Sequence, residues 1–176
     1  MSGTLIGIGI GPGSADLVTE RAAATLADAG VVAHMHATGK PGLAIEMVRT
    51  RLRDDVIEIA IPVPMDADEA TRRAAYDAAI PALREHLNAG RDVAFVCEGD
   101  ALFYGSFQYV QDRLADDCAI QVIPGVTSVT ASAAVAGLAL TRGNQTFQAL
   151  PATLRDGALA ARLADNKSSF AIMKLG

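Results

Sequence analysis

The chain has 176 residues, enough for one well-buried core or for one domain and part of a second. Hydrophobic residues make up 51% of it and aromatics only 5%, so its core is aliphatic, of the kind that packs helices onto a parallel sheet. A net charge of -5 without a Lys/Arg block argues against nucleic acid as a partner, and two cysteines outside any C-x-x-C or Cys/His cluster indicate neither a disulfide framework nor a metal site.

The first stretch, Thr4-Leu5-Ile6-Gly7-Ile8-Gly9-Ile10-Gly11-Pro12-Gly13, alternates apolar residues with glycine. It predicts a strand with one nearly bare face, turned at Pro12-Gly13 toward a helix. A glycine in a strand packs nothing and loses much entropy, so the pattern implies close approach by a ligand or by other backbone. A tightly packed strand, turn and helix without a ligand is the other reading of the same residues.

Ser14, Asp16 and Thr19 compete to cap a helix that ends near Asp28, with Gly30 as its stop. Val31-Val32-Ala33 is expected as a short strand, followed by a loop from His34 to Gly42. An amphipathic helix, Leu43 to Leu52, and a strand, Val56 to Ile61, come next. Pro62-Val63-Pro64 breaks regular structure before a long helix, Asp68 to Asn88, which Pro81 is expected to kink or divide.

The apolar run Asp92 to Val96 predicts a strand leading into the loop Cys97-Glu98-Gly99-Asp100-Ala101-Leu102-Phe103-Tyr104-Gly105-Ser106. A helix to about Leu114, a strand Ala119 to Ile123, the turn Pro124-Gly125-Val126-Thr127-Ser128 and a small-residue helix follow. Three organised loops thus come after strands in a βα pattern. In a parallel sheet such loops gather at the carboxyl edge, where open α/β sheets bind ligands.

Residues 137–144 resemble a linker, after which Thr146 to Leu150, a helix of about Arg155 to Ala164 and Ser169 to Met173 make a strand, helix and strand. The expected fold is therefore α/β: a mostly parallel five-stranded sheet flanked by helices over residues 1–140, plus the start of a second, smaller α/β domain over 145–176. Two strands and one helix cannot bury a core alone, so the second domain is expected to be incomplete. No charged-then-apolar leader precedes Thr4 and every apolar run is too short to cross a bilayer, so a cytoplasmic protein with no membrane partner is expected.

The glycine loop fails the dinucleotide test. From Gly7 or Gly9 the G-x-G-x-x-G spacing lands on Pro12 and Ser14, and the second strand ends at Ala33-His34 without an acidic residue for a ribose. Instead, four features in order resemble the tetrapyrrole methylases of cobalamin and sirohaem synthesis. They are Gly7-Ile8-Gly9-Ile10-Gly11-Pro12-Gly13, the Glu98-Gly99-Asp100 loop with Phe103-Tyr104-Gly105-Ser106, Pro124-Gly125-Val126-Thr127-Ser128, and Met173-Lys174. Within that family, Cys97-Glu98-Gly99-Asp100 with Phe107, and Leu150-Pro151-Ala152-Thr153, look like the branch that methylates the C20 meso carbon of a precorrin-2-like tetrapyrrole.

The resemblance implies S-adenosylmethionine as methyl donor, S-adenosylhomocysteine as product and a homodimer. Carried across, Pro12 borders the cofactor, Glu98, Gly99, Asp100 and Phe103 line its pocket, Thr127 and Ser128 cap it, and Met173 contributes from the second domain. A carboxylate such as Asp100 suits a sulfonium cation, and glycine loops expose backbone to an adenosine. Ala101 stands where the family usually has proline. Met35 occupies the place of an aspartate proposed as base in the sirohaem branch, which argues against a uroporphyrinogen substrate and leaves no catalytic base named.

For the substrate, Gly11 and Gly13 make room, while Tyr104 adjoins the loop. Lys40 and Arg142, in predicted loops, suit the carboxylates of a tetrapyrrole. His34 and His36, two apart, share a face of an extended strand and line a cleft rather than bind metal, since no third ligand is in view. Cys97 follows an apolar strand and reads as a buried, inert thiol. A sister methylase acting at another ring position, and a non-catalytic ligand-binding fragment, are the alternatives.

Overall fold

The computed structural model describes residues 2–65, 67–165 and 167–175. The chain forms two compact units, Met1–Thr127 and Ser128–Gly176. The small-residue helix after Thr127 falls in the second unit.

The first unit holds five strands: β1 (Thr4–Gly9), β2 (Val31–Ala37), β3 (Ile57–Val63), β4 (Val93–Cys97) and β5 (Ala119–Ile123). They form one sheet in the order β3-β2-β4-β1-β5, every neighbouring pair parallel. Helices α1 (Glu20–Asp28) and α2 (Leu43–Val48) cover one face, and α3 (Glu69–Asn88) and α4 (Phe107–Leu114) the other. The strand period of two sorts the core accordingly. Leu5, Val31, Ala33, Phe95 and Cys97 pack with Tyr76, Leu83 and Phe107, while Ile6, Ile8, Val32, Ala94 and Val96 pack with Leu26, Ile45 and Val48.

Glycine has a specific place in this sorting. A Cβ on Gly7 would lie 2.6 Å from the ring of Phe107, which is fully buried and 5.9 Å from Phe95 between ring centroids. The bare face of β1 is therefore filled at Gly7 by the first residue of α4, a hundred positions later. Packing by the chain itself, not a ligand, accounts for this glycine.

Two local expectations are corrected and an open one is resolved. Strand β2 continues through His34 and His36 to Ala37, where a loop was expected, because β3 also continues and pairs His36 with Pro62 and Ala37 with Val63. Pro62 is tolerated since β3 is an edge strand. Thr38 donates its N–H to the Val63 carbonyl at 3.1 Å, so Val63 faces β2 and Pro62 faces the open side, where a missing N–H costs no ladder bond. Pro81 does not divide helix α3, which is one element of 20 residues. Pro81 is exposed, whereas Tyr76, Ile80, Leu83 and Leu87 bury the opposite face, and that burial outweighs one lost backbone bond. The competition to cap α1 is settled for Thr19, whose hydroxyl accepts from the Ala22 N–H at 3.3 Å, while 15–17 form a separate single turn.

The second unit contains α5 (Ser128–Ala136), β6 (Thr146–Pro151), α6 (Asp156–Leu163) and β7 (Ser168–Met173). Strands β6 and β7 pair in parallel from Thr146 with Ser168 to Pro151 with Met173. Among the described residues no helix is long and apolar enough to cross a membrane.

Candidate functional site

Three loops leave the carboxyl ends of β1, β4 and β5, and the sheet order sets β1 between the other two strands. Gly11 and Gly99 exchange backbone hydrogen bonds, Gly11 N–H to the Gly99 carbonyl at 3.1 Å and Gly99 N–H to the Gly11 carbonyl at 2.7 Å. Gly11 at φ +81° and Gly99 at φ +67° occupy the left-handed region that side chains disfavour. On the other side of β1, a Cβ on Gly9 would lie 2.6 Å from the Gly125 nitrogen and 2.7 Å from the Gly99 carbonyl oxygen. A Cβ on Gly125 would lie 2.1 Å from that same oxygen. Gly9, Gly99 and Gly125 thus form a three-way junction in which backbone touches backbone.

Asp100 spans the junction. Its Oδ1 accepts from the N–H groups of Leu102 at 2.9 Å and Phe103 at 3.0 Å, and its Oδ2 accepts from the Gly125 N–H at 2.9 Å. The β4 loop then turns through Tyr104, a non-glycine residue at φ +57° whose ring meets Phe103 edge-on at 5.1 Å. Cys97 is buried 3.6 Å from the Ser106 hydroxyl, and burial pushes its thiol up to about 11, so it is an inert core thiol as expected.

Pro12 is half-buried beside this junction, and Gly13 is exposed with nothing within 4 Å of where a side chain would sit. Glu98 is also exposed, yet the surrounding protein partly desolvates its carboxyl and raises it above the ordinary glutamate range. Thr127 closes the first unit at the end of the β5 loop. Pro12, Gly11, Gly13, Glu98, Gly99, Asp100, Phe103, Tyr104 and Thr127 therefore share one edge of one sheet.

His34 and His36 stand at the same edge, on β2, with ring centroids 5.9 Å apart. They are not equivalent. His34 is 2% exposed, its Nε2 lies 3.0 Å from Glu58 Oε1, and its Nδ1 has no hydrogen-bond partner among the described residues. Gly42 makes room for it, since a Cβ there would come within 2.5 Å of the ring. The partly exposed His36 donates Nδ1–H toward the carbonyls of Ala37 at 3.1 Å and Lys40 at 3.0 Å, which ties down the turn carrying the exposed Lys40 side chain.

Partial burial would raise the Glu58 carboxyl, but the hydrogen bonds from His34 and Arg49 outweigh it and hold the group below its ordinary value. A carboxyl lowered in the folded state contributes stability at neutral pH that is lost as the pH falls from 4.5 through the lower folded value. Wild-type stability, measured by urea titration, is thus expected to decline across that acid window more steeply than that of Glu58→Gln. Parallel declines would remove the role of this ion pair.

The second unit carries Ser128 at the start of α5, Arg142 in the turn before β6 and Met173 at the end of β7. Because β6 and β7 are parallel, Arg142 precedes the amino edge of the small sheet and Met173 lies at its carboxyl edge. Among the described residues there is no cluster of three or more metal-ligating side chains. The open hollow of about 400 Å³ bounded by Thr25, Asp28, Gly30, Arg91 and Asp92 lies at the amino edge of the large sheet, remote from the three loops.

Sequence reading singled out the segments of Gly9 and Gly125 but not their contact with each other, and it did not single out Glu58. For the two glycines the signal was their place at the end of β1 and in the turn after β5. For Glu58 it was a lone carboxylate within an otherwise apolar strand.

A family model described as Tetrapyrrole (Corrin/Porphyrin) Methylases matches residues 4–176. The chain is 37% identical to a precorrin-2 C(20)-methyltransferase of Sinorhizobium sp, over 99% of this chain and 74% of the relative. It is 30% identical to a cobalt-precorrin-2 C(20)-methyltransferase of Salmonella typhimurium, again over 99% of this chain and 74% of that one. Among solved structures it resembles a uroporphyrin-III C-methyl transferase of Thermus thermophilus complexed with S-adenosylhomocysteine. The TM-score is 0.61 at 25% identity, over 87% of this chain and 57% of that one.

Proposed function

The chain belongs to the tetrapyrrole methylases, and from that premise we propose that it transfers a methyl group from S-adenosylmethionine to C20 of precorrin-2. The observation that carries the reading is the glycine junction of the β1, β4 and β5 loops. It sets the half-buried Pro12 and the open space at Gly13 at the edge where parallel sheets hold ligands. The relatives named for C20 methylation support the choice of substrate.

The cofactor supplies an electrophilic methyl on a sulfonium. The chain's own contribution would be alignment, since the C–S bond would break as the new C–C bond formed in line with it, and the proton replaced at C20 would then leave to solvent. Pro12 and Phe103 serve as walls, the Gly99 and Thr127 segments offer backbone groups, and Glu98 supplies a carboxylate at the mouth. The resemblance adds Ser128 and Met173 to the cofactor residues. Gly11, Gly13, His34, His36, Lys40, Tyr104 and Arg142 are proposed for the tetrapyrrole, with Lys40 and Arg142 meeting its carboxylates. The proposal also includes a cytoplasmic homodimer.

Titration calorimetry with S-adenosylhomocysteine tests the cofactor site. Saturable binding of one ligand per chain is expected, and no heat at high micromolar ligand would overturn it.

A further inference from the structure

The Asp100 carboxylate touches two of the three loops. We infer that Asp100 is a positioning residue, holding the β4 and β5 loops in one shape, and is not the counter-charge of the cofactor's sulfonium. This rests on the cofactor reading proposed above. An ionised carboxylate has about four acceptor positions, and three here are taken by backbone N–H groups at 2.9, 3.0 and 2.9 Å. These are charge-assisted bonds to fixed donors, two within the turn and one from Gly125, 25 residues away.

The bonds also explain the spacing of the loop. Oδ1 closes a turn over Leu102 and Phe103, which fixes the backbone leading into Tyr104 at φ +57°. Oδ2 draws Gly125 against the Gly99 carbonyl, the contact that leaves no room for a Cβ on either Gly9 or Gly125. Removing the carboxylate would release the β5 loop from the β4 loop, and the cofactor-facing backbone of both would lose its alignment.

Asparagine separates the two roles. It keeps one oxygen for the turn, but its NH₂ then faces the Gly125 N–H, donor against donor. It also removes the negative charge. S-adenosylmethionine and S-adenosylhomocysteine differ by one methyl group and by the sulfonium charge, so their affinities report the charge separately from the shape.

In Asp100→Asn a positioning role predicts that both dissociation constants rise by a similar factor, about tenfold, with their ratio within about twofold of wild type. A shift of the ratio by about tenfold against S-adenosylmethionine would assign Asp100 to the sulfonium and overturn the inference, as would unchanged affinity for both. Amide hydrogen exchange supplies a readout that needs no ligand. The Gly125 amide should lose protection in Asp100→Asn and in Asp100→Ser, which keeps a turn-closing oxygen, while Phe95 and Val96 amides stay protected. Retained protection at Gly125 would contradict the clamp. If wild type binds neither molecule, the cofactor reading fails while the exchange measurement still decides the clamp.

Discussion

Gly125→Ala is expected to cost about 3 kcal/mol of stability and to weaken S-adenosylhomocysteine binding roughly tenfold or more. The reason is geometric. The added Cβ would sit 2.1 Å from the Gly99 carbonyl oxygen and 2.6 Å from the Gly9 carbonyl carbon, and both are backbone atoms. A flexible side chain could swing away from such a contact, whereas these atoms are held by the β1–β4 ladder and by the Gly11–Gly99 bonds. Relief must come from separation of the β5 loop, which stretches the Asp100 bond to the Gly125 N–H. Thermal unfolding and calorimetry read both effects. A Gly125→Ala protein with wild-type melting temperature and wild-type affinity would mean that the loops do not meet as described.

The second large effect lies at the packing contact beneath the site. Phe107→Ala removes a fully buried ring and is expected to destabilise the protein by about 3–5 kcal/mol. Gly7→Ala, which drives a methyl into the same ring at 2.6 Å, is expected to cost about 1–3 kcal/mol. The two share one volume, so the double variant should be more stable than the sum of the single losses, by about 1–2 kcal/mol. Strictly additive losses in urea titrations would place Gly7 and Phe107 out of contact.

That pair also shows where sequence reading succeeds and where it stops. The alternation of β1 was legible, and so were the continuous apolar strand β4, the glycine stop after α1 and the three βα loops, because each is written in neighbouring residues. What fills the bare face of β1 was not legible, since Phe107 is brought there by tertiary packing. The same holds for β2. His34-Met35-His36-Ala37 has weak local strand signals and becomes strand because β3 pairs with it through Val63. Pro62 reads as a breaker until the open edge it faces is known.

The candidate site was legible as loops and obscure as bonds. Glu98-Gly99-Asp100 and Pro124-Gly125-Val126-Thr127-Ser128 stood out as segments, but the bond that joins them runs from Asp100 to the backbone of Gly125. A carboxylate after a buried strand and a glycine reads as a charge awaiting a ligand, and here three backbone N–H groups already hold it. His34 and His36 likewise read as a pair. Burial against Glu58 gives one of them a structural partner, and the carbonyls of Ala37 and Lys40 give the other a turn to hold. Strand order was unreadable, because β2 is set beyond β4 by crossovers that local pattern does not encode.

Incubation with S-adenosylmethionine and precorrin-2, followed by mass detection and location of the new carbon by NMR, tests the central claim most directly. The account predicts one added methyl group, placed at C20, with one S-adenosylhomocysteine formed per methyl transferred. A protein that binds the cofactor yet leaves precorrin-2 unmethylated, or that places the methyl on another carbon, would contradict it.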